Sequence, residues 1–197
     1  MNIVQLIGGS GAGKSALAQG LAVRWPGRAT ALRTNRYLRN RQPTDGEDFL
    51  MRPDSVDWPL VRAHIEMLAR EQTVAMPDYD WNAGRRLPPR LSQTTGLNLV
   101  PTNLLIIESL HIVRGIDSVR IFLDTPVDRR REAVVKRDQE LHGNFIKFFD
   151  TVTEPSYQKY IAPQRAECEH VLNGTLPSSV LIEQTQRYLS ALWGGWD

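Results

Sequence analysis

The sequence holds one cysteine, Cys168, so no internal disulfide can form, and that usage fits a reducing compartment. No thiolate-stabilising motif surrounds Cys168, which argues against a nucleophilic thiol. No apolar run approaches the roughly 18 residues that a membrane span needs. The opening "IVQLIGG" has neither a basic leader nor a small-residue cleavage site, so no export signal is expected. The expected location is therefore cytoplasmic, without a membrane partner. Charge of one sign is scarce as well: the net charge is +2, too little to argue for a nucleic-acid partner. Lysine is rare, four against twenty arginines. Genomic base composition accounts for such a bias, and so would arginine forks that grip phosphate oxygens. Repeats and low-complexity segments are missing. What remains is 197 residues, 41% of them apolar, enough for one α/β domain and too few for two.

Hydrophobic patterning divides the chain into alternating strands and helices. "NIVQLIG" (residues 2–8) is a compact apolar run closed by glycines, which suits a buried parallel strand. Leu17, Leu21 and Arg24 follow at helical spacing until Trp25-Pro26-Gly27 stops the helix. A short strand is expected over 29–32. In "DSVDWPLVRAHIEMLAREQ", Asp57 reads as an N-cap, Pro59 lies in the first turn, and Val61, Ile65 and Leu68 form a stripe. "DWNAGRRLPPRLSQTTG" (80–96) is loop-like, but too short for a domain linker. "NLLIIES" (103–109) and "VRIFLDT" (119–125) are further buried strands, and an arginine-rich helix is expected from Asp128 to about Asp138. Residues 152–167 read as helical with Pro163 interrupting, 169–172 as an edge strand, and 179–192 as a closing amphipathic helix. The alternation predicts a mostly parallel sheet covered on both faces, a three-layer α/β architecture.

"GGSGAGKS" (Gly8, Gly9, Ser10, Gly11, Ala12, Gly13, Lys14, Ser15) matches G-x-x-x-x-G-K-[ST] between an expected strand and an expected helix. Its glycines let successive backbone N–H groups turn toward phosphate oxygens at a helix N-terminus. Lys14 would reach the β- and γ-phosphates, and the Ser15 hydroxyl would ligate Mg²⁺. Lys14 is the only lysine in the first 135 residues, and a compact point charge is what such a loop needs. The pattern therefore predicts binding of ATP or another nucleoside triphosphate with Mg²⁺. An N-K-x-D guanine motif and a D-x-x-G switch are both missing, which excludes a GTP switch.

The strand "LLIIES" ends at Glu108, a carboxylate that suits a Mg²⁺ partner if this strand lies beside the loop, or else a simple strand terminus. Arg129, Arg130, Arg131, Lys136 and Arg137 form either a solvated helix face or a lid that offsets charge and excludes water. "LRTNRYLRN" (32–40) carries three arginines and no acid where a phosphate-transferring enzyme would place a carboxylate. Arg33, Arg36 and Arg39 there would suit an anionic acceptor, or simply a solvated surface.

Taken in order, these segments resemble the uridine kinase and phosphoribulokinase family of P-loop kinases. "RPDSVDW" is similar to that family's H-P-D-S-F-D-W segment, and "MPDYDW" with Arg86 to its P-x-Y-D-F…R substrate loop. "LLIIES" resembles its strand ending in Glu-Gly, and "IFLDTPVDRRREAVVKRD" its F-x-D-T-x-x-D-x-R…R-D lid. "YIAP" with "AECEHVL" resembles a further shared stretch. The resemblance runs from the loop to about Leu172. It implies one P-loop kinase domain over 1–197, an Arg-bearing lid near 126–150 and an acceptor-binding insertion near 35–96. It also implies Gly8 to Ser15 on phosphates, Ser15 and Glu108 near Mg²⁺, and Arg130 and Arg137 on the lid. Tyr79 and Asp80 would line the acceptor pocket with Arg86 supporting the loop, beside Asn35, Arg36, Tyr37 and Asp54. An aromatic such as Tyr79 stacks well on a planar base or sugar face.

Departures fall on the acceptor half. The family's D-x-F-Y motif, whose Asp is the general base, aligns with Asn35-Arg36-Tyr37-Leu38. Met51 replaces an Asp that holds ribose hydroxyls, Gly84 replaces a base-reading His, and the lid's paired arginine has become Ala133-Val134. Asn35 can orient a hydroxyl but cannot accept its proton; Asp45, Asp48 or Asp54 could supply a base, or merely solubilise the loop. The reading is an ATP-dependent kinase acting on a hydroxyl of a small nucleoside-like or sugar-like molecule, with room for a homo-oligomer. Two alternatives stand beside it: a catalytically impaired nucleotide-binding regulator, and a kinase for another acceptor such as pantothenate or nicotinamide riboside.

Overall fold

The computed structural model describes residues 1–87, 98–138 and 145–194. Its centre is a five-stranded parallel sheet in which residues 29–33, 104–109, 2–7, 119–124 and 170–173 lie side by side in that order. In chain order the first elements are β1 (Asn2–Ile7), α1 (Lys14–Arg24), β2 (Ala29–Arg33) and α2 (Trp58–Ala69). The short strands β3 (Val74–Ala75), β4 (Asp78–Asp80), β5 (Arg85–Leu87) and β6 (Asn98–Leu99) follow, then β7 (Leu104–Ser109) and β8 (Val119–Asp124). The chain ends with α3 (Val127–Asp138), α4 (Phe145–Phe148), α5 (Glu154–Ser156), β9 (His170–Asn173) and α6 (Ser178–Trp193).

The apolar run of β7 reads as continuous because both of its faces are covered. Leu104 and Ile106 pack with Val4, Leu6, Leu17, Leu21 and Leu189 beneath α1 and α6. Leu105 and Ile107 pack on the other face with Val61, Ile65 and Leu68 of α2. This is the period of two expected of a strand between two helical layers. A third cluster, Ile7, Ile112, Phe122, Tyr157 and Ile161, closes the carboxyl edge of the sheet.

Asp57 caps α2 by accepting from Leu60 N–H at 3.1 Å, with Pro59 in the first turn. The closing helix and the edge strand are also found, the strand one residue later than its sequence suggests. Residues 145–167 form a continuous helical path of mixed pitch. Phe149–Thr153 and Tyr157–Ile161 are π-helical turns, and Ala162–Glu167, which contains Pro163, is a 3-10 turn. The stretch expected as a loop from Asp80 instead turns back at once into β5, making a small antiparallel hairpin with β4; its remainder, 88–96, lies outside the described residues. Among the described residues no helix is long and apolar enough to cross a membrane.

Candidate active site

The parallel register brings the ends of β1, β2, β7 and β8 to one edge of the sheet. β1 runs into Gly8–Ser15, and β7, its hydrogen-bonded neighbour, places Glu108 across from Leu6. On the other side of β7, Arg33 at the end of β2 is the register partner of Glu108. The backbone at Gly11 has φ +79°, and a Cβ there would run into the Arg130 carbonyl oxygen. Glycine is what both the left-handed conformation and that contact permit.

Lys14 is only 7% exposed. Its ammonium donates to the Gly8 and Gly9 carbonyls, both at 2.8 Å, so reaching a phosphate means exchanging these carbonyls for phosphate oxygens. Burial lowers its pKa to about 8; Glu108 opposes the shift, and Arg137 and Arg130 add to it. The Ser15 hydroxyl donates to Glu108 Oε1. The other oxygen, Oε2, is buried without a hydrogen bond, and Arg33 Nε lies 3.5 Å away. Glu108 and Ser15 thus meet at the foot of the phosphate loop, as their motifs suggest.

Arg130 turns inward while its neighbours do not. Arg131 pairs with Asp150 at 2.8 Å on the surface, and Arg129 lies near Glu132 at 3.6 Å. The Arg130 side chain is 2% exposed. Its Nε donates to the Thr125 carbonyl at 2.9 Å and its Nη2 to Glu154 at 2.6 Å. The guanidinium lies 3.8 Å from the Tyr157 ring centroid and 6.0 Å from that of Phe149. A Cβ on Gly9 would sit 3.1 Å from Nη1, and that nitrogen is buried without a partner. Arg130 is therefore clamped against the phosphate loop rather than carried on an exposed surface. Arg137, in the last turn of α3, is exposed. The clamp residues Phe149, Glu154 and Tyr157 escaped the sequence reading because the π-helical path breaks the 3.6-residue spacing that would have put them on one face.

The segment that follows β2 is built around ion pairs. Asn35 is exposed in a 3-10 turn, Thr34–Tyr37, whose flanking Thr34 and Tyr37 are buried. Thr34 ties the turn to β7 through Ser109 Oγ at 2.8 Å, and the Tyr37 hydroxyl meets His64 Nδ1 at 2.9 Å. Arg36 is paired with buried Asp78. Arg39 holds Asp45 through two bonds of 2.8 and 2.6 Å, and Arg52 holds Asp54 in the same two-bonded fashion. These bonds keep the Asp45 and Asp54 carboxyls below the usual carboxylate range. Asp48 instead accepts from the Tyr160 hydroxyl at 3.2 Å.

Arg86 supports the neighbouring turn, donating to the Leu38 and Tyr37 carbonyls at 2.8 Å and to Asp57 at 3.0 Å. Asp80 Oδ1 accepts from Asn82 and Ala83 N–H and shapes the β4–β5 turn. The Tyr79 ring, expected to face an acceptor, is 3% exposed, and its hydroxyl reaches back to the Arg39 carbonyl at 3.4 Å. Trp81 is the aromatic that this hairpin presents: it is 48% exposed and packs edge-on against Tyr79 at 5.2 Å. Trp81 lies one residue past β4, in the turn, so the strand that buries Tyr79 does not hold it.

A parallel sheet with a glycine-rich phosphate loop after its first strand and an acid ending the next strand defines a P-loop protein of the small-kinase type. The chain belongs to the phosphoribulokinase/uridine kinase family, whose model matches residues 3–178, and it is a P-loop kinase. It is 24% identical over 194 residues to a uridine kinase of Chlamydia pneumoniae, covering 92% of this chain and 85% of the relative. It is 25% identical over 183 residues to a uridine kinase of Halobacterium salinarum, covering 86% and 78%. Among solved structures, a protein provisionally assigned as a fructose transport system kinase from Silicibacter sp. TM1040 aligns with a TM-score of 0.63. Their identity is 16%, over 87% of this chain and 89% of that one. A sugar kinase from Janibacter sp. HTCC2649 aligns with a TM-score of 0.54 at 19% identity, over 96% and 95%. At these identities the structural likeness speaks for the fold.

Proposed function

We propose that this kinase transfers the γ-phosphate of ATP, with Mg²⁺, to a hydroxyl of a neutral nucleoside-like or sugar-like metabolite in the cytoplasm. The observation that carries the reading is the Ser15–Glu108 pair with the buried, unbonded Glu108 Oε2. A hydroxyl and a carboxylate are hard oxygen donors suited to Mg²⁺, and a buried carboxylate oxygen left without a hydrogen bond fits a cation as its missing partner. Bound there, the ion would offset charge on the β- and γ-phosphates.

The loop amides of Gly8 to Ser15 would cradle phosphates, Lys14 would exchange its carbonyl partners for their oxygens, and Arg130 Nη1 would offer one further buried donor. Residues 126–150, with Arg137, would serve as the lid, and 35–96 as the acceptor-binding insertion. Within it Asn35 would orient the acceptor hydroxyl, with Tyr37, Asp54, Asp80 and Arg86 holding the surrounding walls. Trp81 would supply the apolar face first assigned to Tyr79. The neutral character of the acceptor follows from the arginines, since Arg36, Arg39, Arg52 and Arg86 are each engaged by a carboxylate. This weighs against an acceptor gripped by the Arg36 and Arg39 forks, and so against that route to an anionic, vitamin-type substrate.

Acceptor-dependent ADP release across nucleosides, hexoses, pantothenate and nicotinamide riboside tests the reading. Turnover is expected with a neutral acceptor; turnover confined to a charged one, anionic pantothenate or cationic nicotinamide riboside, would overturn its neutrality. Exposed Asn35, in place of the family's acid, favours a second reading, a nucleotide-binding regulator without turnover. Substituting Asn35→Asp separates the two, since activity that appears only in the variant identifies a disabled kinase.

A further inference from the structure

Arg33 and Glu108 end adjacent parallel strands as register partners, so their side chains leave the sheet on the same face. The Glu108 carboxylate is asymmetrically held. Oε1 accepts from Ser15, whereas Oε2 has no hydrogen bond among the described residues and lies 3.5 Å from the Arg33 guanidinium. That separation suits charge attraction but lies outside good hydrogen-bond geometry. The Arg33 side chain is 39% exposed against 11% for Glu108, and among the described residues it makes no other ion pair. It is also unlike the other acceptor-side arginines: Arg36, Arg39 and Arg52 hold their acids at hydrogen-bond distance, whereas Arg33 is loosely coupled and placed to move. Buried Lys14 lies on the same acid's electrostatic field, so Glu108 already faces two cations.

We propose that Arg33 is the positioning and charge-balancing residue of Glu108, a resident cation that a divalent metal displaces only when nucleotide phosphates arrive with it. The inference rests on the reading of Glu108 as the metal-binding acid. A divalent ion approaching Glu108 alone meets the positive charges of Arg33 and Lys14, and the two repulsions disfavour it. Nucleotide phosphates reverse that balance, because their negative charge outweighs both side chains. Metal therefore enters as the nucleotide complex, and Arg33 sets how strongly the site rejects the free ion.

Mn²⁺ serves as the probe, its binding to the full chain measured by electron paramagnetic resonance with and without ADP. Without ADP, Arg33→Ala and the longer Arg33→Gln should bind Mn²⁺ about tenfold more tightly than the wild type, while Arg33→Lys stays at the wild-type value. With ADP present, all four proteins should agree within about twofold. Equal Mn²⁺ affinity in the wild type, Arg33→Ala and Arg33→Gln without ADP overturns the proposal, as does an equal gain in Arg33→Lys. Glu108→Gln distinguishes this failure from that of the parent reading. If it leaves Mn²⁺–ADP binding unchanged, Glu108 is not the metal's acid and both inferences fall. If it weakens that binding while the Arg33 variants change nothing, only the role of Arg33 is lost.

Discussion

Asn35 sits exposed between two buried residues of its turn, so its amide is held at the surface by the anchoring of Thr34 and Tyr37. An amide oxygen can accept a hydrogen bond from a hydroxyl, but at neutral pH it cannot take the proton. Phosphoryl transfer tolerates that loss because charge stabilisation and positioning supply most of the rate. Asn35→Asp is expected to raise kcat by about 10²-fold, the lower end of what a general base contributes. Steady-state kinetics check this, and an unchanged kcat would mean that another group already removes the proton. Lys14 gives a second residue-scale expectation. Its folded pKa is lowered to about 8, while bound phosphate favours the charged form. Above pH 8 nucleotide binding must therefore take up a proton, and affinity should fall as pH rises, by up to about tenfold per pH unit. Titrating a fluorescent ADP analogue between about pH 7 and 9.5 shows this, and Lys14→Arg, always charged, should remove the inflection.

Helix α2 joins sequence, packing and site through one side chain. Asp57 caps the helix at Leu60 N–H and also holds Arg86, which in turn fastens the Tyr37 and Leu38 carbonyls. Asp57→Ala should cost about 1–2 kcal/mol, the upper range for a lost cap, while Asp57→Asn, which can still cap, should cost less. Urea unfolding midpoints measure both. The cap, the proline in the first turn and the buried stripe of Val61, Ile65 and Leu68 were all legible in the sequence, because they are local and periodic. The helical path was legible only over 152–167, with Pro163 interrupting, and its first turns fell within the expected lid. Its π turns place Phe149, Glu154 and Tyr157 around Arg130, and no α-periodic reading brings those three to one face. The β4–β5 hairpin was hidden for another reason: a three-residue strand has no periodicity to read, so whether Tyr79 or Trp81 faced inward depended on its tertiary partner.

Across the whole molecule, the phosphate half was readable because its requirements are stereochemical: glycines where the backbone curls, a lysine and a serine at the helix start, an acid at a strand end. The acceptor half depends on pairings between distant arginines and acids, and composition cannot say which joins which. His111 is the buried joint between these halves. Its ring meets the Met51 carbonyl at 2.9 Å and the Gln164 side chain at 3.1 Å, linking the insertion to the helical path behind Arg130. Burial lowers its pKa from 6.5 to about 4, so between those values the unfolded chain binds a proton that the folded one refuses. Stability should therefore fall as pH drops from 6.5 toward 4, by at most about 3 kcal/mol from this group. Comparing urea unfolding of the wild type with His111→Gln across that range isolates the effect, which the variant should lack.

The proposed phosphate transfer takes place at a site organised by Glu108. It is tested most directly by incubating the protein with ATP, Mg²⁺ and a panel of nucleosides and sugars, then identifying any phosphorylated acceptor by mass spectrometry. A singly phosphorylated neutral acceptor should form with the wild type and be reduced at least about 10²-fold in Glu108→Gln. Wild-type product formation undiminished in Glu108→Gln, or no phosphorylated acceptor from the wild type across the panel, would contradict it.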